Sequence, residues 1–471
     1  VALPSAAERR RSAERGSGRP GPRGTAGPPR RRATPRTGLP SWPVAGLLAG
    51  FPVWWLLGLG ELVWPLAAVV MLAYLGSHRH VRVPRGFGVY LLLLVWIVAS
   101  GTQVDTAGRM VGFVYRLTLY VAAAVLFVYV YNARRHLGQR YLLGLFTVFF
   151  AWVVLGGYLG LAFPTATIRT PLAMVLPDGV LSNELAHQMA VRRLTQYNPD
   201  AWNVIDPRPS APFLYTNNWG NAYSLLVPLV GLYLREVRGT RRFWPVAALL
   251  PVSLVPAFLT LNRGMFVGLG FVLVLVAARF ALGGRVRALG GIVALAVMAA
   301  VVVQLLPVTD RLENRLESSG TNESRLTVYT ETIRQTLGSP LLGFGAPRPA
   351  EGVSIEVPAL GTQGQVWMVL FSHGFVGLAL FLGWLVWLVA RSWRRRDVEG
   401  VVMSAVLAAV LVEAFFYGLL GPGLGIAMLV GGLALRPPER HPDLTSPHGA
   451  APPVPDPDAR RAPSIFLRSP R

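Results

Sequence analysis

The stretch VGFVYRLTLYVAAAVLFVYVYNARRHLGQRYLLGLFTVFFAWVVLGGYLGLAF, Val111 to Phe163, decides the fold class. Its two apolar runs, 111–131 and 141–163, each reach the ~20 residues that carry a helix across a hydrocarbon layer of about 30 Å. The turn between them, ARRHLGQR, is short and basic. Inside a bilayer a helix satisfies every backbone hydrogen bond internally, so such a pair reads as a membrane hairpin.

The pattern extends in both directions. Apolar runs occupy 43–58, 61–76 and 87–101 before the hairpin, and 214–234, 243–261, 265–282, 288–306, 365–390, 399–419 and 421–435 after it. The first, second and last are short for a full crossing. The expected fold is all-α, a polytopic membrane helical bundle of about 12 transmembrane helices with a large extracytoplasmic loop between helices 9 and 10. Composition agrees: 14% of the residues are charged, against about 25% in soluble domains.

All 45 basic residues are arginine, and the net charge is +22. Such a charge raises the question of nucleic acid, but the arginines punctuate apolar runs and do not gather on one face, so nucleic acid is not an expected partner. Between the apolar runs they concentrate in the connections 77–86, 132–140, 235–242, 279–287 and 391–398, each short and basic. By the positive-inside rule these face the cytoplasm, which puts both termini inside a plasma membrane. The opposite connections are tiny, or long and acid-balanced like 164–213 and 307–364, the second with seven acidic residues against five arginines. Residues 1–41 are expected to be a disordered Arg/Pro-rich cytoplasmic tail, 42–436 the transmembrane domain and 437–471 a second disordered tail.

Several chemistries lack their residues. With no cysteine there is no disulfide, thiolate nucleophile or iron–sulfur cluster. HExxH, P-loop and GxSxG patterns are absent, and the Asp456–Pro457–Asp458 triplet lies in the tail, so no metal or other cofactor is expected.

Charges inside a span or on the outer side go against the statistics and carry information. Arg263 stands in the outer turn LTLNRGMFVGL; the plain alternative is an arginine snorkelling to lipid phosphates. In NESRLTVYTETIRQTLGSPLLGFG, Leu326, Ile333 and Leu337 share one helical face, and Arg325, Tyr329, Thr332 and Thr336 form a polar stripe beside it. Arg116 and Glu413 lie at similar depth in their spans, and each needs a partner or a wet cavity. His373, in the tenth span, suits a hydrogen-bonded packing role.

Three stretches, in this order, resemble the O-antigen ligase and O-antigen polymerase superfamily of bacterial polytopic membrane glycosyltransferases. They are TNNWGNAYSLLVPL (Thr216 to Leu229), the turn LTLNRGMFVGL with Asn262 where Ser is common, and RLTVYTETIRQTLGSPLLGFG with its Arg-x-x-x-Tyr and Ser-Pro-x-x-Gly-x-Gly. The resemblance covers roughly residues 210 to 395. It implies metal-independent transfer of a glycan from an undecaprenyl-diphosphate-linked donor to a glycan or lipid acceptor outside the cytoplasm, among membrane lipids. Arg263, Arg325 and Tyr329 are then the expected catalytic residues, and Arg116, Asn218, Gln363 and Glu413 the expected substrate-binding residues. Glu323 and Glu331 are further candidates for the base. One departure counts: where ligases of the superfamily carry His-Asn, this chain has Gln363 and Gly364, and an amide cannot take a proton at neutral pH. That tilts the expectation toward chain polymerisation. A transporter or lipid-linked oligosaccharide flippase is the competing reading, and it places its substrate groups at the bilayer midplane on broken helices.

Overall fold

The computed structural model describes residues 38–197, 207–284, 290, 293, 297, 321–349 and 359–436. Helices dominate. In chain order they begin with α1 (Trp42–Leu48), α2 (Phe51–Leu56), α3 (Val63–Ser77), α4 (Gly88–Ser100), α5 (Ala107–Asn132) and α6 (Gln139–Ala162). After the first outer loop come α10 (Thr216–Glu236), α11 (Phe243–Leu259) and α12 (Arg263–Leu282). The set closes with α13 (Thr321–Thr336), α14 (Gln365–Ser392), α15 (Val398–Glu413) and α16 (Pro422–Ala434).

The connection between α6 and α10, expected from its charge to be the first outer loop, carries three short helices, α7 (Pro171–Val175), α8 (Asp178–Leu181) and α9 (Glu184–Ala190), and four short strands. Strand β1 (Thr167–Arg169) pairs antiparallel with β2 (Val191–Arg193), and β3 (Thr195–Gln196) with β4 (Arg208–Pro209).

Among the described residues, α5, α6, α12 and α14 are long and apolar enough to cross a membrane, and shorter apolar helices accompany them. The protein is thus a helical membrane protein. The run 43–58 is not one helix: it divides at Ala49–Gly50, where a Cβ on Gly50 would lie 2.5 Å from the carbonyl oxygen of Gly46. The run 288–306 and much of 307–364 lie outside the described residues.

One buried core joins these elements: α6 packs on α10, α5 on α16 and α3, α12 on α15, and α14 on α4 and α15. Polar backbone groups inside it are provided for. Pro256 cannot donate to the carbonyl of Val252 one turn earlier, and the Tyr158 hydroxyl donates to that oxygen instead, at 2.7 Å. Some of the basic loop residues also hold helix ends: Arg279 donates to the carbonyls of Trp393 and Arg395, both at 2.9 Å, just beyond the C-terminus of α14.

Candidate active site

The apolar run 399–419 unwinds early. Helix α15 stops at Glu413 and α16 starts only at Pro422, which leaves an irregular turn between them. The carbonyls freed there meet the unpaired N–H groups at the start of α14. Gln365 N donates to Tyr417 O at 2.7 Å and Val366 N to Ala414 O at 2.9 Å, while Trp367 Nε1 donates to Phe415 O at 2.9 Å. Two helix ends therefore satisfy each other, as buried termini must. Gly364 permits the approach: its φ is +143°, and a Cβ would stand 2.5 Å from Phe415 O. The Gln365 side chain completes the joint, its Nε2 donating to Tyr120 Oη at 2.7 Å and its Oε1 accepting from Leu419 N at 2.9 Å.

The same turn reaches the start of α12. Asn262 is buried, with Nδ2 donating to Thr216 O at 3.1 Å and Oδ1 accepting from the Tyr417 hydroxyl. A serine in its place would be too short to bridge both partners in this way. Gly220 and Gly264 leave the room, since a Cβ on either would come within 2.3 Å of Asn262 Nδ2 or 2.7 Å of Tyr417 Oη respectively. Arg263 follows as the first residue of α12. Its side chain is exposed and makes no hydrogen bond or ion pair among the described residues.

On the opposite side of the turn stands α13. Its Tyr329 ring stacks on Trp367, centroids 4.3 Å apart and planes 14° from parallel, and its hydroxyl donates to the carbonyl of Gln363 at 3.2 Å. The described part of the polar stripe of α13 faces the protein and the leucine face does not. Thr332 and Thr336 are fully buried, whereas Leu326 and Leu337 are 65% and 63% exposed. The threonines tolerate burial because each hydroxyl donates to the carbonyl four residues back, at 2.6 Å, so each presents only its methyl group outward. Arg325 lies on the backbone of α13, and the side chains of Arg325 and Glu323 lie outside the described residues. Glu331 is bound by Arg334 and Gln335, and these bonds hold its carboxyl below the ordinary range, which makes it a poor base.

The Ser-Pro-x-x-Gly-x-Gly stretch has a structural task. Helix α14 breaks at Gly374 (φ +68°), and the carbonyls of Phe371 and Ser372 accept from Phe344 N at 2.9 Å and Gly345 N at 2.8 Å. Arg109 donates to the carbonyls of Phe344 and Ala346 at 2.7 and 2.6 Å, which fixes the stretch from its other side. His373 is buried with Nδ1 2.6 Å from Ser100 Oγ.

Arg116 and Glu413 are not brought together. Glu413 is fully buried, Oε2 accepting from Asn221 Nδ2 at 2.5 Å while Oε1 has no hydrogen-bond partner. It fits against Gly268, where a Cβ would lie 1.6 Å from Oε1. Arg116 is half-buried on α5 and makes no ion pair or hydrogen bond among the described residues; Tyr120, Tyr115, Tyr215 and the like-charged Arg109 act on it electrostatically. Asn218 is half-buried in the first turn of α10, two residues beyond Thr216, and Gln363 is half-buried beside Tyr329.

Sequence reasoning missed a cavity of about 450 Å³ in the first outer loop, whose walls include Arg192, Arg193, Arg208, Tyr197, Tyr215 and Gln188. The signal was available: arginines on the outer side break the charge rule as Arg263 does.

Among the described residues no group of three or more His, Asp or Glu side chains is placed to hold a metal ion. No curated protein matches the chain. Residues 246–382, from α11 into α14 and including Arg263, Arg325, Tyr329 and Gln363, match the family model described as O-antigen ligase, and over this segment the chain is similar to the O-antigen ligase and polymerase superfamily.

Proposed function

We propose that the protein transfers a glycan from a polyprenyl-diphosphate carrier to an acceptor hydroxyl on the extracytoplasmic face of the plasma membrane, with both tails, 1–41 and 437–471, in the cytoplasm. The family match implies glycosyltransferase-like activity with lipid-linked glycan donors and acceptors; the carrier, the face and the residue roles are this reading's own. The observation that carries it is Arg263, an exposed guanidinium without a partner among the described residues, at the first residue of α12 and tied through Asn262 and Tyr417 to the turn that also holds Tyr329 and Gln363.

In the transfer, the acceptor oxygen bonds to the anomeric carbon as the bond from that carbon to the diphosphate oxygen breaks. The electron pair leaves with the diphosphate, and the hydroxyl proton passes to water or to the departing phosphate. Negative charge therefore grows on the leaving group, where fixed cations lower the barrier. Arginine suits this role, being always charged and able to grip phosphate at two points. Arg263 and Arg325 are assigned to the diphosphate, and Arg116, inside its ring of tyrosines, to the same group from the membrane side. Tyr329, Asn218 and Gln363 offer hydrogen bonds to sugar hydroxyls. Gln363 cannot act as a base, and an amide at this position favours chain extension over ligation. Glu413, engaged with Asn221 and packed on Gly268, is assigned to packing and leaves the substrate-binding set.

The test is transfer by the purified full chain in liposomes, from a lipid-diphosphate oligosaccharide and without a gradient. Lengthened glycan from the wild type and its loss in Arg263→Ala support the reading. Movement of the lipid across the bilayer with no new glycosidic bond would return the flippase.

A further inference from the structure

We propose that the cavity in the first outer loop is a subsite for an acidic sugar, where the Arg192 guanidinium takes a carboxylate or phosphate substituent of the glycan. The identity of the ligand rests on the glycan-transfer reading; the anion-binding character of the cavity rests on its own geometry.

Arg192 is 1% exposed, yet among the described residues only Nη2 has a partner, the carbonyl of Gly58 at 3.2 Å; Nε and Nη1 have none. A buried cation with idle donors is costly unless something brings acceptors to it. Its burial follows from the strand. Residues of β2 alternate, so Arg192 turns inward while Arg193 turns out, and Gly60 makes room, a Cβ there lying 3.1 Å from Arg192 Nη2. Glu61 acts on Arg192 electrostatically, and among the described residues it forms no ion pair with it, so the idle donors are not engaged by that carboxylate.

The surroundings suit a charged sugar better than a lone ion. Arg193 and Arg208 stand on the walls, where Glu184 is the one carboxylate among the described residues. Tyr197 and Tyr215 supply ring faces, and Gln188, whose Oε1 accepts from Tyr215 Oη at 3.0 Å, supplies an amide. About 450 Å³ is within the range of sites that hold small organic ligands. Tyr215, on the cavity wall, also acts electrostatically on Arg116, the arginine assigned to the diphosphate. A glycan held there by its acid group would keep its reducing end near the leaving group.

The experiment measures binding to the full chain in nanodiscs by ligand-observed NMR, with three probes: a uronic-acid disaccharide, a sugar phosphate and a neutral disaccharide. At least one charged probe is expected to bind about tenfold or more tightly than the neutral one, and whichever charged probe binds better identifies the substituent. Arg192→Gln should erase that preference and leave the neutral probe unchanged. Where Arg192→Gln fails to fold, Arg193→Gln and Arg208→Gln at the same cavity carry the test through a reduced preference. Equal binding of charged and neutral probes by the wild type, or an undiminished preference in folded variants, overturns the proposal. Transfer is assayed separately. Charge preference in a protein that makes no glycosidic bond sinks the transfer reading alone, and transfer without charge preference sinks the subsite alone.

Discussion

The Tyr329 ring lies flat on that of Trp367, 4.3 Å between centroids, so a helix of the outer loop and a helix of the bundle share one seam. The Tyr329 hydroxyl bonded to Gln363 O closes this seam just ahead of α14. Across the turn at Phe415 to Tyr417 stands Arg263. The residues assigned to the reaction therefore come from segments far apart in the chain, joined by the backbone hydrogen bonds of Gln365 and Val366 to the turn and by the side chains of Tyr329, Asn262 and Tyr417.

The outer arginines give the first prediction. Arg263→Ala and Arg325→Ala should each lower transfer by roughly a hundredfold or more at matched membrane abundance, the usual effect of removing one electrostatic donor. Lysine should restore only part of the activity, because an ammonium lacks the planar two-point grip. A snorkelling Arg263 would tolerate lysine almost fully, so full activity in Arg263→Lys counts against the assignment.

Arg116 separates function from architecture. An unpaired, partly buried guanidinium costs stability, so Arg116→Met should raise or preserve the unfolding temperature in detergent while transfer falls by about tenfold or more. A fall in both together would make Arg116 a structural residue.

Glu413 should behave the opposite way. Glu413→Gln keeps an oxygen for Asn221 Nδ2 and should retain most transfer, whereas Glu413→Ala opens a hole and leaves the buried amide without its acceptor, at a cost of about 1–3 kcal/mol. Paired thermal-unfolding and transfer measurements decide; a Gln variant that folds normally but is inactive would return Glu413 to the site.

Gly374→Ala should be severely destabilising. Its φ of +68° alone costs a Cβ-bearing residue about 1–3 kcal/mol, and the new Cβ would sit 2.2 Å from Leu341 O. Gly383→Ala, in the same helix with nothing within 4 Å of its Cβ, is the control and should be neutral. Equal unfolding temperatures for the two variants would contradict the break in α14.

Topology can be tested in this cysteine-free chain. A cysteine at Ser182, exposed on the first outer loop, should react with an impermeant reagent in intact cells, and one at Ser77 should not. Ser210 is unsuitable although it belongs to the same loop, because it is 1% exposed. Labelling at Ser77 with protection at Ser182 would invert the orientation.

Apolar run length gave the long helices nearly to the residue: 111–131 became Ala107–Asn132, and 141–163 became Gln139–Ala162. Hydropathy measures side-chain transfer and is silent about backbone conformation, so the breaks at Gly50, at Gly374 and after Glu413 were invisible in it. The last of these matters most, since the unwound turn is what assembles the site. Arg263 was legible because a charge at an outer turn violates a strong statistical rule. Arg192 violates the same rule but lay hidden in a loop whose net charge balances. Periodicity placed Tyr329, Thr332 and Thr336 on one face of α13 correctly, yet polarity suggested solvent for that face. Threonines that bond back to their own helix are in effect small apolar residues, and sequence does not announce which ones do.

The break in α14 also works as a ruler. From Phe375 to Ser392 the helix rises about 27 Å at 1.5 Å per residue, close to the thickness of a hydrocarbon layer, so this part alone suffices to cross it. On the orientation proposed above, the nine residues before it, Gln365 to His373, would be left at the depth of phospholipid phosphates. A polyprenyl carrier holds its own diphosphate at that height by its anatomy. The carrier would reach the arginines by sideways diffusion, without being lifted out of the leaflet, and only the sugars would need to rise into water.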